Sequence, residues 1–177
     1  SYTELLSRRL NGEPLQYIEE YVPFYSIQIN VDQRCLIPRP ETEYMIEIIK
    51  NNISAPKKIL DVGTGSGCIA LMMKKLFPDS EVHAVDISND AITLAKENAE
   101  INNLEVNFYQ SDLLTNVEKL DFDLIVANLP YIPTSNLPTL QKEVIDYEPL
   151  IALDGGEDGL LYTVSYTHLT LPTRLPV

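Results

Sequence analysis

Apolar residues occur along most of the chain in two alternating patterns: short continuous runs and longer stretches with helical spacing. The short runs end in polar or turn residues, as buried strands do. We assign strands to residues 58–62, 81–87, 106–110 and 122–128. Stretches with helical spacing fill the first two gaps, at residues 68–77 and 90–102. This alternation predicts an α/β fold with a doubly wound, mostly parallel sheet and helices on both faces.

The first 54 residues follow a different pattern. Residues 3–10 have helical spacing and stop at Asn11-Gly12, a typical helix end. Residues 24–31 alternate apolar and polar positions, which predicts a strand. Residues 39–52 predict a helix with Pro40 in its first turn. Towards the other end of the chain, the apolar run at residues 150–156 predicts a fifth strand of the sheet.

The last residues do not continue this alternation. Residues 165–177, SYTHLTLPTRLPV, have no helical period and are rich in proline and polar residues. They follow a stretch that starts like a helix and is then cut short. We interpret this tail as non-native sequence, and the alternative is a native disordered terminus.

Composition narrows the class of protein. A chain of 177 residues with 45% hydrophobic residues suggests one domain with a sizeable core. Its net charge of −13 disfavours direct binding of nucleic acid, because phosphate groups attract basic surfaces. The two distant cysteines predict neither a metal site nor a disulfide and fit a reducing cytosol. There is no apolar run long enough to predict a membrane span.

A glycine-rich turn joins the first strand of the sheet to the following helix, in ILDVGTGSGCIAL at residues 59–71. Glycines let the backbone turn tightly and approach a ligand, and the helix that follows offers free N–H groups. The dinucleotide pattern would require a glycine where Cys68 stands. The observed pattern after an aspartate is instead that of S-adenosylmethionine sites, although a purely structural turn is the alternative. The candidate cofactor-binding residues here are Asp61, Gly63, Thr64, Gly65, Ser66 and Gly67.

Acidic residues follow the next two strands. Asp86, with Ile87 beside it, ends the second strand, where a carboxylate can accept both hydroxyls of a ribose. The alternative is a helix cap, but Ser88 can serve that role. Asp112 and Leu113 follow the third strand, where they could accept the exocyclic amine of an adenine and contact its ring. A turn aspartate is the alternative for Asp112.

The fourth strand ends in ANLPYIP, residues 127–133. Asn128 can accept an N–H and donate to a carbonyl, and the Leu129 carbonyl before Pro130 is a second acceptor. Two acceptors that converge on an NH2 group would orient its lone pair, and Tyr131 could stack on the planar group. We therefore predict that these residues hold a planar nitrogen nucleophile, with Asn128 also next to the cofactor. An ordinary turn is the alternative, since Asn and Pro are common turn residues.

With these motifs the chain resembles class I methyltransferases, which have a Rossmann-like fold and an (N/D)PPY motif. Three further stretches, GEPLQYI at 12–18, LIPRPETE at 36–43 and EVIDYEPLIAL followed by GG and DGL between 143 and 160, resemble the HemK/PrmC family. Members of that family use S-adenosylmethionine to methylate the side-chain amide N5 of the glutamine in the GGQ loop of peptide chain release factors. The resemblance implies the same activity, cofactor and partner for this chain.

The resemblance also implies a role for each motif. Residues 63–67 would contact the methionine end of the cofactor, Asp86 the ribose, and Asp112 with Leu113 the adenine. Residues 128–131 would be the catalytic and substrate-binding residues. A linker arm would cover the cofactor pocket with Arg39, Pro40, Thr42 and Glu43.

The family resemblance also implies a domain organisation. Residues 1–20 would be the remnant of an N-terminal helical domain, residues 21–54 a hairpin-like linker with its helix, and residues 55–164 the S-adenosylmethionine-binding domain. The family's sheet continues with strands that follow the end of this sequence. We therefore expect a chain truncated at both ends.

One departure from the family keeps alternatives open. Leu129 stands where the family has its first proline, and NLPY is typical of ribosomal RNA adenine dimethyltransferases. A nucleic-acid adenine N6-methyltransferase is therefore the second hypothesis, and an inactive fragment is the third. The favoured enzyme is expected to be a cytoplasmic monomer without membrane contact.

Overall fold

In the computed structural model, residues 1–115, 117 and 121–163 are described. A four-stranded parallel sheet has the order β5-β4-β3-β6, and a separate antiparallel pair, β1-β2, precedes it in the chain. The strands are β1 Tyr21–Phe24, β2 Ile27–Asn30, β3 Lys58–Val62, β4 Glu81–Asp86, β5 Asn107–Gln110 and β6 Leu124–Ala127. The α-helices are α1 Tyr2–Leu10, α2 Leu15–Glu19, α3 Pro40–Asn52, α4 Cys68–Leu76, α5 Asn89–Asn102 and α6 Lys142–Tyr147. Two 3-10 helices span Thr134–Thr139 and Leu150–Ala152.

The helix termini follow the signals in the sequence. Pro40 is the first residue of α3, where its fixed φ suits a helix and its missing N–H is not needed. Ser88 caps α5, and its hydroxyl oxygen accepts a hydrogen bond from the Ala91 N–H at 3.2 Å. Helix α5 ends at Asn103, whose left-handed conformation (φ 53°) terminates it.

The register of the sheet brings the strand ends to one level. Val62 of β3 pairs with Val85 of β4 and with Ala127 of β6, and Asp86 of β4 pairs with Gln110 of β5. The residues that follow each strand therefore meet at the carboxyl edge of the sheet, where ligands bind in parallel sheets.

The two faces of the sheet are covered differently. Helices α3, α4 and α5 contribute to one apolar cluster with Ile59, Val82, Ala84 and Val126. Leu60, Val62 and Val85 point to the other face, where residues of the β5–β6 segment pack against them. The predicted parallel α/β sheet is confirmed. Among the described residues, however, long helices cover one of its faces.

Two predicted strands differ in the structure. Residues 24–31 are not one strand, because the chain reverses at Tyr25-Ser26 and β2 pairs with β1 as the hairpin of the linker. The fifth strand predicted at 150–156 was wrong. A 3-10 helix begins after Pro149, and a single bridge joins Asp154 to Ile132. Of the four apolar residues that suggested a strand, Leu150 and Ile151 are exposed, Ala152 is half-buried and only Leu153 is buried.

Several elements carry no strong signal in the sequence. Helices α2 and α6 are only five and six residues long and were not predicted.

Within the described part of the chain, no helix combines the length and apolar character needed to cross a bilayer. The tail at 165–177 lies outside the described residues, so its interpretation stays a prediction.

Candidate cofactor and substrate site

Two adjoining cavities lie at the carboxyl edge of the sheet. We call the first the edge chamber. Of the predicted site residues, its lining includes Gly63, Gly65, Asp86, Ile87, Asp112, Leu113, Asn128, Leu129 and Pro130. We call the second the side chamber, and Tyr131, Ile132, Leu140, Val144 and Leu153 are among its lining residues. The wall between the chambers consists of the residues that line both: Leu36, Arg39, Thr42, Asn128, Leu129 and Ala152.

The glycine turn is held against the end of β4. Gly63, Gly65 and Gly67 all have positive φ, which explains glycine at each position. The N–H groups of Gly63 and Thr64 both donate to the Val85 carbonyl at 2.9 Å. A Cβ on Gly65 would meet only Cys35, at 4.0 Å, so its backbone faces open space in the edge chamber. The turn thus presents bare backbone to any ligand there.

Gly67 has a packing role. It does not line the edge chamber, and a Cβ there would lie 3.1 Å from the Ala95 Cβ and 3.3 Å from its Cα. Gly67→Ala should therefore push α4 away from α5 and strain a positive φ. We expect a loss of about 1–3 kcal/mol in unfolding free energy, measured by urea denaturation.

The matched control for this substitution is Gly12→Ala. Gly12 also has positive φ, but a Cβ there would meet no atom within 4 Å. A Gly67→Ala chain no less stable than the Gly12→Ala chain would contradict the packing role.

Asp61 supports the turn from below. Its side chain is completely buried, and its Oδ2 accepts the Thr64 hydroxyl at 2.6 Å and the Ala70 N–H at 3.2 Å. Its Oδ1 has no hydrogen-bond partner among the described residues. Burial raises the pKa of Asp61 to about 7, against the opposing effect of the hydrogen bonds from Thr64 and Ala70. Asp61, Thr64, Ser66 and Gly67 are absent from the edge-chamber lining, so they shape the turn from outside.

The Asp61 carboxyl makes stability depend on pH. Between the ordinary pKa of 3.8 and about 7, the folded protein keeps a proton that the unfolded chain releases. The contribution of the protonated Asp61 carboxyl to the unfolding free energy is fully present below about pH 4 and is lost as pH rises through 7. Asp61→Asn should therefore flatten this fall in unfolding free energy, measured by denaturation from pH 4 to 8.

The difference between the parent and the variant isolates Asp61, because other titrating groups are common to both chains. Burial also raises the pKa of Asp86, for example, and Asp86 is present in both chains. The exposed Asp79→Asn substitution is the control and should leave the profile unchanged. An equally steep profile in the Asp61→Asn chain would show that this carboxyl stays ionised when folded.

Asp86 joins the glycine turn to the end of β4. Its Oδ2 accepts the Gly65 N–H and its Oδ1 accepts the Ser88 N–H, each at 2.9 Å. Ser88 is the N-cap residue of α5, as predicted, so Asp86 does not cap this helix. The contact between Asp86 and Gly65 was not predicted, although both residues were singled out for ligand binding.

The segment 128–133, which we call the Asn128 loop, lies directly beside the glycine turn. A Cβ on Gly63 would stand 2.9 Å from the Leu129 Cδ2, so the two segments are in contact. Asn128 is exposed and lines both chambers, and Tyr131 is 69% exposed at the rim of the side chamber. The structure therefore brings the amide and the glycine turn to one place.

A downstream segment supports this loop from behind. The Ile132 N–H donates to the Leu153 carbonyl at 3.1 Å, and the Gly155 N–H donates to the Ile132 carbonyl at 2.8 Å. A Cβ on Gly155 would lie 2.8 Å from the Tyr131 Cα. Only glycine allows this close approach at position 155, and Gly156 follows with a positive φ of 85°.

Several lining residues were not predicted, including Arg34, Cys35, Leu36, Cys68, Pro149, Ile151 and Tyr162. Most are apolar or buried and belong to no chemical motif, so only the neighbouring RPETE and YEP stretches pointed to them. Burial raises the pKa of the Cys68 thiol to about 12 and raises that of Cys35 also. Both thiols are therefore protonated at neutral pH and are poor nucleophiles.

The comparison with protein families agrees with this geometry. Residues 40–176 match the family model "Methyltransferase small domain". The chain belongs to the methyltransferase small-domain family. Its HemK/PrmC resemblance is also confirmed by the relatives: a release factor glutamine methyltransferase of Koribacter versatilis is 44% identical over 90% of this chain. A second, from Clostridium acetobutylicum, is 42% identical over 99% of this chain.

This small-domain methyltransferase chain is shorter than those relatives. It spans 58% of the length of the Koribacter protein and 64% of the Clostridium protein. Among solved structures, a methyltransferase from Pyrococcus furiosus covers 73% of this chain with a TM-score of 0.53 at 24% identity. The match covers 63% of the Pyrococcus chain. A likeness at this identity confirms the class I methyltransferase fold.

In the described residues, no group of three or more His, Cys, Asp or Glu side chains could hold a metal ion.

Proposed function

We propose that this chain transfers a methyl group from S-adenosylmethionine to the side-chain amide N5 of the GGQ glutamine in peptide chain release factors. The observation that carries the proposal is the position of Asn128 and Leu129 in the wall shared by the two chambers. A cofactor in the edge chamber and an amide in the side chamber would meet at this wall. The names of the two relatives support the same substrate.

The edge chamber suits S-adenosylmethionine. Gly63 and Gly65 expose backbone that a larger residue would cover, and Asp86 places a carboxylate beside them. Asp86 would bind the ribose hydroxyls with the acceptor capacity left on its oxygens. Ile87, Asp112 and Leu113 also line this chamber and would surround the adenine. Asp61, Thr64, Ser66 and Gly67 would act on the cofactor through the shape of the turn.

The Asn128 loop suits a primary amide substrate. The Asn128 side-chain oxygen would accept one N–H of the glutamine, and the Leu129 carbonyl would accept the other. The ring of Pro130 fixes the backbone directly after that carbonyl. Tyr131, exposed at the rim, would cover the planar amide by stacking. The residue types therefore match a planar nitrogen with two protons.

Catalysis would rest on positioning. When bound, S-adenosylmethionine would supply an electrophilic methyl carbon, and S-adenosylhomocysteine would leave as the bond between that carbon and the sulfonium sulfur breaks. An amide nitrogen is a weak nucleophile, and the two acceptors would orient its lone pair and strengthen as positive charge develops on it. The described lining of the two chambers includes no histidine, and both thiols of the edge chamber are protonated. The proton would therefore leave to solvent after transfer.

The proposed partner and location follow from the same features. The binding partner would be a release factor, and the chain would work as a cytoplasmic monomer. Cys35 and Cys68 are both free thiols, which is typical of proteins in a reducing compartment. The net charge of −13 favours a protein partner over bare nucleic acid.

A radiolabel transfer assay tests this proposal. Tritiated S-adenosylmethionine is incubated with the chain and either a release factor or the same factor with its GGQ glutamine replaced by alanine. Label on the first protein and none on the second is the expected result. Equal labelling of both factors would overturn the assignment of the glutamine.

The second candidate is an RNA adenine N6-methyltransferase. The NLPY sequence favours it, because Leu129 replaces the family's proline and Tyr131 could stack equally well on a base. Ribosomal RNA added to the same assay separates the two candidates. Label in RNA and none in protein would favour the second candidate.

A further inference from the structure

An ion pair joins the two stretches that distinguish this sequence but carry no assigned chemistry, RPETE and YEP. The Arg39 Nη2 donates to the Glu148 Oε1 at 2.5 Å, across 109 residues of sequence. The Glu148 Oε2 accepts the Ile37 N–H at 3.1 Å. One carboxylate thus holds two residues of the same segment, on either side of Pro38.

The burial of this pair is uneven. The Glu148 side chain is 1% exposed and that of Arg39 is 35% exposed. A buried carboxylate is stable only when hydrogen bonds and an opposite charge replace its water. Glu148 therefore depends on Arg39 and Ile37, and its contacts fix both of them in return.

The pair stands in the wall between the chambers. Arg39 lines both chambers, and Pro149, directly after Glu148, lines the edge chamber. Leu36 and Ala152, in the same two segments, also line both. A shift of either segment would change the shape of both chambers at once.

We propose that Glu148 is a positioning residue that fastens this wall and thereby sets the affinity for cofactor and substrate together. This role rests on the proposed function, because it assumes a cofactor in one chamber and an amide substrate in the other. Glu148 would act through Arg39 and the 36–38 backbone and would not touch the reacting atoms. Its loss should weaken binding more than it slows the chemical step.

The test is Glu148→Gln in the complete chain. The amide keeps the shape and can still accept the Ile37 N–H, but its NH2 group cannot pair with a guanidinium. We expect the dissociation constant for S-adenosylhomocysteine, measured by calorimetry, to rise about tenfold. KM for the release factor should rise with it, while kcat changes less than about threefold, in the pattern of lost ground-state binding.

A second substitution distinguishes positioning from general damage. In Arg39→Gln/Glu148→Gln, two amides can hydrogen-bond to each other in place of the ion pair. The double variant should bind S-adenosylhomocysteine more tightly than Glu148→Gln alone. Independent structural damage would instead add up in the double variant.

The matched control is Glu13→Gln. Glu13 pairs with Arg8 at 2.6 Å, and the Arg8 side chain is 35% exposed, like that of Arg39. Neither residue lines the two chambers. Glu13→Gln should leave binding and KM unchanged even if it lowers the melting temperature.

The outcomes separate the two claims. Suppose that the parent binds the cofactor and methylates the release factor. Unchanged binding and KM in Glu148→Gln then overturn only the positioning role of Glu148. Equal losses of binding in Glu148→Gln and Glu13→Gln overturn it also. A parent that binds S-adenosylhomocysteine but methylates no release factor overturns the proposed function. The binding measurements on the variants then still test the positioning role of Glu148. A parent that does not bind S-adenosylhomocysteine overturns both.

Discussion

Asn128→Ala should reduce methyl transfer to release factor by about 100-fold or more, the loss that follows removal of one transition-state hydrogen-bond partner. The alanine leaves only the Leu129 carbonyl of the two proposed acceptors for the glutamine amide, so the nitrogen lone pair is no longer held in line. Binding of S-adenosylhomocysteine should change by less than about threefold, because Asn128 is exposed at one wall of the edge chamber. Single-turnover label transfer and calorimetry measure the two quantities.

The control for this substitution is Asn136→Ala. Asn136 is also exposed and lies outside both chambers, in the 3-10 helix Thr134–Thr139. It should retain full transfer. Turnover of the Asn128→Ala chain close to that of the parent would remove Asn128 from the reaction. Loss of cofactor binding together with transfer would assign it a structural role.

Asp86→Ala should raise the dissociation constant for S-adenosylhomocysteine about 100-fold. The substitution removes the acceptor for the Gly65 and Ser88 N–H groups and the proposed partner of the ribose hydroxyls. Each hydrogen bond to a charged group contributes about 1.5–3 kcal/mol, and 1.4 kcal/mol is tenfold in affinity. The cap of α5 should survive, because Ser88 makes it with its own hydroxyl. Calorimetry gives the affinity, and circular dichroism reports the remaining helix.

The exposed Asp79→Ala removes the same charge at a distance from the chambers and should not affect cofactor binding. Unchanged affinity in the Asp86→Ala chain would mean that neither the ribose contact nor the hold on Gly65 matters. A loss of affinity accompanied by unfolding would be tested again with Asp86→Asn, which keeps the size of the side chain and one acceptor.

The sequence predicted the sheet well because its signals are local. Each strand of the sheet contains a short apolar segment that is bounded by polar or turn residues, and Pro40 and Ser88 mark helix starts whatever surrounds them. The strand predicted at 150–156 failed because an apolar run alone does not show whether a neighbouring strand is available. Here, Pro149 and the glycines at 155 and 156 direct the chain around the Asn128 loop instead.

The candidate site was predictable in part for the same reason. Residues that follow strands in a parallel sheet must meet at one edge, so Gly63, Asp86, Asp112 and Asn128 could be grouped from sequence. The different roles of the glycines in this turn could not be predicted from sequence. Only the fold shows that Gly67 packs on Ala95 while Gly65 faces the chamber. The pairing of Arg39 with Glu148 spans 109 residues and has no periodic signal.

The support behind Tyr131 has a consequence for the order in which the protein matures. Hydrogen bonds from residues 153–156 fasten the loop that follows β6. On the ribosome, those residues emerge more than twenty positions after Asn128. A nascent chain can therefore complete strands β3 to β6 early, while the loop after β6 is fastened later. The edge chamber is also completed late, because Pro149, Ala152 and Tyr162 line it. Neither cofactor binding nor the proposed methyl transfer should thus appear until these residues have left the ribosome.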